Sequence, residues 1–208
     1  MLMWLFTKKS VEEHFTTIFE KRRWPKGFPE TVSGAGSTLR NTERIRIQLP
    51  MLLANYKVKT MVDAPCGDFN WMKEIDLNGI TYAGVDIVAD IVRKNRDTYG
   101  NEKRTFHHAD ITTESLPIQP DLILCRDCFV HLTNDLIQQA ISNFKRSGST
   151  YLLTTTFPNL QKNSDLRKVG RWRPINLRLP PFNFPPELDV VDDVDQNAPG
   201  KALGLWRL

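Results

Sequence analysis

The run Thr60-Met61-Val62-Asp63-Ala64-Pro65-Cys66-Gly67-Asp68 decides how the rest of the chain is read. Its apolar start reads as a short buried strand, Thr60 to Asp63, and the Pro and Gly that follow force a tight turn. The same grammar recurs downstream. Further strands are predicted at Thr81–Asp86, Arg104–His108, Leu122–Cys125 and Thr150–Thr156, with helices between them at Phe69–Ile75, Ile87–Tyr99 and Asn134–Phe144. The last helix is the clearest, with Thr133 as N-cap and Leu136, Ile137, Ala140, Ile141 and Phe144 on one stripe. Only a short, proline-containing crossover joins the third and fourth strands. Alternation of this kind implies an α/β fold: a mostly parallel sheet with helices on both faces.

Outside this block the pattern changes. Val11 to Arg23 reads as a short helix with Phe15, Ile18 and Phe19 on one face, and Trp24 to Gly36 as a Pro/Gly loop. A second helix is predicted to start near Ser37 or Thr38, either of which can cap it, with Ile45, Leu49, Leu52 and Leu53 as its apolar stripe. Pro50 should kink or divide it. Residues 1–36 therefore form an appendage and 37–208 the main domain. Residues 157–186 hold six prolines and no helical period, which predicts a long ordered loop serving as a lid or substrate wall. Strands at Leu188–Val191 and Leu203–Leu208, separated by Pro199-Gly200, would complete a seven-stranded sheet with an antiparallel edge hairpin.

The chain's 208 residues suit one domain, and 40% hydrophobic with 25% charged residues excludes a disordered chain. No apolar run approaches the ~18 residues of a membrane span. The apolar start, Met1 to Phe6, has Lys8 and Lys9 after it, the reverse of a secretory leader. Three cysteines, Cys66, Cys125 and Cys128, point to reduced thiols and a cytoplasmic protein. Lys plus Arg (28) exceeds Asp plus Glu (24) only slightly, so the balance does not itself call for nucleic acid. The basic residues cluster, however, at Lys21, Arg22, Arg23 and Lys26 and again at Arg167, Lys168, Arg171, Arg173 and Arg178. Solvated surface is the first reading of both, and an anionic substrate or partner the second.

Ligands of open α/β sheets bind at the carboxyl ends of the strands. Here three successive strands deliver a carboxylate to that edge, Asp63, Asp86 and Asp110, 23 and then 24 residues apart. An acid after the second strand can accept from ribose hydroxyls, and one after the third from an exocyclic adenine amine. The turn lacks G-x-G-x-x-G and places Asp68 beside Gly67, which makes a poor pyrophosphate cradle. It suits a nucleoside with a positive tail and no phosphate, the character of S-adenosylmethionine.

These runs, with Asp110-Ile111 and Asp121-Leu122-Ile123-Leu124-Cys125-Arg126, resemble the ordered motifs of class I S-adenosylmethionine-dependent methyltransferases over roughly residues 38–156. The strings Ser33-Gly34-Ala35-Gly36-Ser37, Cys66-Gly67-Asp68-Phe69-Asn70-Trp71 and Gly204-Leu205-Trp206 are similar to a group of small bacterial and viral members. Pro65 and Phe69 depart from that family's usual glycines, and the proline-rich loop replaces its usual helix. The resemblance implies that Asp63 reaches the methionine amino group, Pro65 and Gly67 approach the cofactor, and Asp86 holds the ribose. Asp110 would take the adenine amine between Ile87 and Ile111. The Cys125 carbonyl and Arg126 would face the methionine end, and Thr38 and Arg40 its carboxylate.

Asp127 and His131 are four apart and would share a face if a helical turn forms. Asp127 would then orient the imidazole and His131 take a proton from the acceptor, unless His131 merely caps the turn. Cys125 and Cys128 spell C-x-x-C without a second pair, so structural thiols are favoured over a metal site. His107 and His108 straddle a strand end and favour packing. Trp172 and Arg173, with Phe182 and Phe184, are either substrate contacts or the minor core of the long loop. The predicted function is methyl transfer to a small molecule or a glycan end group. RNA or protein acceptors, or a non-catalytic S-adenosylmethionine-binding partner, are the alternatives. The fourth strand is not followed by a [D/N]-P-P-[Y/F] run, which disfavours amino-methylation of DNA bases.

Overall fold

A computed structural model describes residues 10–24, 29–194 and 198–208. Met1 to Phe6 and Lys26 lie outside the described residues. The strands are β1 (Thr60–Asp63), β2 (Thr81–Asp86), β3 (Arg104–His108), β4 (Leu122–Cys125), β5 (Tyr151–Thr156), β6 (Asp189–Asp192) and β7 (Ala202–Arg207). They form one seven-stranded sheet in the order β3-β2-β1-β4-β5-β7-β6. β1 to β5 run parallel, and β7 is antiparallel to both β5 and β6. The order reverses between β1 and β4, which opens a crevice at their carboxyl ends.

Side-chain alternation splits the core in two. Ile123, Leu152 and Trp206 pack beneath α4 (Asn134–Arg146) through Ile137, Ala140 and Phe144. Leu122, Leu124 and Leu203 face the other way, against Leu49 and Leu53 of α2 (Glu43–Asn55) and Val92 of α3 (Ala89–Tyr99). Each such buried side chain is worth about 1.5–3 kcal/mol. α1 (Val11–Glu20) opens with a capping box between Ser10 and Glu13.

Four local expectations are corrected. Phe69–Ile75 is not an α-helix: Phe69 has φ 59°, outside the helical region, and only a 3₁₀ turn forms at Met72–Glu74. α2 begins at Glu43, not near Ser37 or Thr38, because Ala35–Ser37 is a separate 3₁₀ turn onto which the Thr38 hydroxyl donates back, to the Ala35 carbonyl. The helix runs through Pro50 undivided. Thr133 makes no side-chain cap on α4; Asp165 accepts the Asn134 N–H instead, at 2.8 Å, from the long loop.

That loop, residues 157–186, carries neither helix nor strand and is ordered by side chains. Arg173 is 5% exposed and donates to the carbonyls of Ser164 (2.7 Å), Phe129 (2.8 Å) and Leu132 (3.0 Å). Arg173→Ala should therefore destabilise the protein by about 2–3 kcal/mol, since it orphans several buried carbonyls. Arg173→Lys should rescue little, because an ammonium cannot reproduce the fork. Urea unfolding measures both, and a fully stable lysine variant would refute the role.

Candidate active site

The crevice at the switch point is a cavity of about 1080 Å³ counted out to its open mouth. Its floor is the turn after β1. Gly67 sits there at φ 52°, and a Cβ on it would stand 2.4 Å from the Ser33 Oγ, so only glycine lets the backbone close on both sides. Pro65, Cys66 and Gly67 all line the cavity.

Three carboxylates enter it from successive strands. Asp63 is buried, accepts a 2.8 Å hydrogen bond from the Tyr82 hydroxyl, and is pushed up to about 7 by burial. The nearby Asp86 adds to the rise, while Tyr82 and Arg126 oppose it. Asp86 accepts the N–H groups of Gly67 (3.0 Å) and Val88 (2.9 Å), yet burial still lifts it to about 6. Asp110 accepts both the N–H (2.8 Å) and the hydroxyl (2.7 Å) of Thr112 on one oxygen. Its other oxygen has no partner among the described residues. Ile87, Ile111 and Ala109 supply apolar wall between Asp86 and Asp110.

Asp68 serves a different purpose from the one its position suggests. Its carboxylate accepts from Thr31 Oγ1 (3.1 Å), Val32 N–H (2.6 Å) and Ser33 Oγ (3.0 Å), while its own N–H donates to Ser33 Oγ (2.9 Å). The segment before the sheet is thereby clasped over the turn. Gly36 in that segment approaches so closely that a Cβ there would lie 2.6 Å from Asp127 Oδ2.

At the β4 end stands a quartet of charges, with Arg126, Asp193 and Lys201 buried and Asp127 half-buried. Arg126 forks onto Asp193 through Nε and Nη2, both at 2.9 Å, and reaches Asp127 at 3.2 Å. Lys201 donates to Asp127 at 3.0 Å and to Asp193 at 3.2 Å. Burial would raise the Asp127 carboxyl, but Arg126 and Lys201 outweigh it and hold it well below the usual range. Burial lifts Asp193 despite the same two cations. Asp127 itself has φ 50°, and its N–H donates to the Thr155 hydroxyl (2.8 Å).

His131 lies in a 3₁₀ turn, Phe129–His131, on the cavity wall. Its Nδ1 is 3.0 Å from the Arg171 carbonyl, which fixes the proton on Nδ1 and leaves Nε2 as the acceptor. Trp24 packs on the ring with centroids 4.7 Å apart and the planes tilted by 30°. Burial lowers the imidazole below its ordinary value, partly offset by the Arg171 carbonyl and Asp127. Asp127 does not orient this ring, contrary to the sequence reading: its carboxylate is spent on Lys201 and Arg126.

No known family profile matches the chain, and no curated protein matches it in sequence. Solved structures do match it in shape. A Burkholderia thailandensis 1,6-didemethyltoxoflavin-N1-methyltransferase, with S-adenosylhomocysteine bound, superposes at TM-score 0.64 and 14% identity over 95% of this chain and 86% of that one. Magnesium protoporphyrin IX methyltransferase from Synechocystis PCC 6803, with S-adenosylmethionine bound, gives 0.63 and 14% over 97% and 98%. Human N-acetylserotonin methyltransferase gives 0.63 and 14% over 96% of this chain and 60% of that one. The chain has the class I methyltransferase fold.

Within this methyltransferase fold, Asp63, Pro65, Gly67, Asp86, Ile87, Asp110, Ile111, Arg126, Asp127 and His131 all face one cavity. Thr38, Arg40 and Cys125 do not line it. The Thr38 hydroxyl is used locally, Arg40 is exposed, and the Cys125 carbonyl accepts from Thr154 Oγ1 at 2.7 Å. Trp172 and Arg173 are also elsewhere: Trp172 is 50% exposed with its edge on Phe157, and Arg173 is consumed as described. The long loop supplies no lining residue to this cavity, so the wall expected of it is built elsewhere. That wall is α1, through Val11, Phe15, Ile18 and Phe19, together with Trp24. The sequence displayed the apolar face of α1 but not what it covers.

Proposed function

We propose that the chain is an S-adenosylmethionine-dependent methyltransferase acting on a small-molecule acceptor. The observation that carries the reading is the convergence of Asp63, Asp86 and Asp110 with Gly67 on one cavity. The fit is chemical as well as spatial. Buried acids lifted to about 7 and about 6 want a cation and hydroxyl donors, and the unpartnered Asp110 oxygen wants an amine donor. S-adenosylmethionine bound there would supply an activated methyl group beside the β4 end. Asp86 would accept from the ribose, Asp110 from the adenine amine between Ile87 and Ile111, and Asp63 would face the amino group.

The chain's remaining task is alignment and proton handling. His131 lines the same cavity with Nε2 as its basic nitrogen and stays neutral at pH 7, so it takes the proton of an acceptor hydroxyl. α1 and Trp24 exclude water from one side. Residues 37–208 then carry the chemistry, and residues 10–24 cover it. The small-molecule acceptors named for the toxoflavin and N-acetylserotonin enzymes support the same choice at the level of fold. Among the described residues no helix is long and apolar enough to cross a membrane.

Calorimetry with S-adenosylhomocysteine tests the reading directly. Asp86→Ala should weaken binding by about 1–3 kcal/mol, and unchanged affinity in a folded variant would refute the ribose assignment. Protons give a second test. Because Asp63 and Asp86 are partly protonated near neutrality without ligand and the bound amine and hydroxyls favour their ionised forms, binding must release protons. Affinity should therefore fall as pH drops from 8 to 5. Titrations in buffers of different ionisation enthalpy measure the release, and proton uptake would contradict it.

A further inference from the structure

The two basic clusters of the sequence meet in space. Arg23, just beyond α1, stands with Lys168 and Arg171 of the long loop around one cavity of about 590 Å³. Gly170 permits the approach: a Cβ there would lie 2.5 Å from Ile18 Cδ1 and 3.0 Å from the His14 ring. Arg23, Lys168 and Arg171 are exposed, and none pairs with a carboxylate among the described residues. No acid lines the cavity. Three unneutralised cations on a concave wall repel one another and focus an attractive field for an anion. Two of them are guanidiniums, whose planar forks match phosphate oxygens.

The position of this cavity gives it a role. Ile18 and Trp24 line it and also line the main cavity, so the two share a wall. Arg171 lines the basic cavity and gives its carbonyl to His131. Among the described residues that line the main cavity, by contrast, Arg126 is the one Lys or Arg, and it is already held by Asp127 and Asp193. Among the described residues, a negative group on the acceptor therefore finds unpaired cations only across Trp24. We propose that the basic cavity anchors the phosphate of a phosphorylated small-molecule acceptor while its hydroxyl reaches His131. The acceptor role rests on the methyltransferase reading; the anion site does not.

The test is calorimetric titration with phenyl phosphate and, as the uncharged counterpart, phenol, with and without saturating S-adenosylhomocysteine. Phenyl phosphate should bind at one site and at least tenfold more tightly than phenol. The double variant Arg23→Gln/Lys168→Gln should lose at least tenfold in phenyl phosphate affinity while binding S-adenosylhomocysteine as the wild type does. Failure of phenyl phosphate to bind, or equal binding by the variant, overturns the proposal. So does tight, steeply salt-dependent binding of a 20-nucleotide single-stranded RNA that the double variant abolishes, because the cavity would then serve a polyanion. If S-adenosylhomocysteine itself fails to bind, the methyltransferase reading falls, and the titration without it still decides the anion site.

Discussion

His131→Ala should lower methyl transfer to a hydroxyl acceptor by roughly 10²–10⁴-fold, the usual worth of a positioned general base. S-adenosylhomocysteine affinity should hardly change, because the imidazole comes from the turn after β4 and is not one of the three acids. The geometry makes the prediction sharper than the residue type alone. With Nδ1 tied to the Arg171 carbonyl, the basic nitrogen is Nε2, and burial keeps the ring neutral. Its pKa lies below the ordinary 6.5, so with S-adenosylmethionine kept saturating at every pH, activity should be flat above neutrality and fall only on the acid side of that value. The acid limb must vanish from whatever activity His131→Ala retains. Asp127→Asn should be milder, since Asp127 does not hold the ring. Unchanged turnover in His131→Ala would leave transfer to alignment alone.

Lys201→Met should destabilise the folded protein by about 3–5 kcal/mol at pH 7, the cost of breaking a buried ion group by removing one member. The substitution keeps the apolar stem but leaves Arg126 as the one cation paired with Asp127 and Asp193 among the described residues. Against a total stability of about 5–15 kcal/mol such a loss is large. The sign of the pH dependence follows from Asp127. Its folded pKa is depressed, so its contribution is present above the unfolded value and lost as pH falls through the carboxylate range. The gap between wild type and variant should therefore narrow on acidification. Lys201→Met/Asp193→Asn, which removes one charge of each sign, should recover part of the loss. Urea unfolding at pH 7 and in acid measures all three proteins, and a gap independent of pH would show that Lys201 acts by packing alone.

The sequence determined the strands and their end residues. β1 to β4 match their predicted ranges because each is a short apolar run closed by a turn signal, and the period of two needs no distant partner. The convergence of Asp63, Asp86 and Asp110 followed from parallel alternation, which sends every strand's carboxyl end to one edge. The helix predicted at Phe69–Ile75 failed for the opposite reason. Its apolar residues pack downward, Phe69 against Tyr82 and Phe106, through a backbone no propensity foretold. Only the tertiary structure decided that Lys201 neutralises Asp127 across 74 residues, and that Arg171 rather than Asp127 holds His131. It also decided that Arg173 serves carbonyls and that α1 roofs the cavity. Each of these is a pairing of a common residue type with a partner chosen by the path of the backbone. A periodic pattern records which way a side chain points, and it carries no information about what the fold will place opposite.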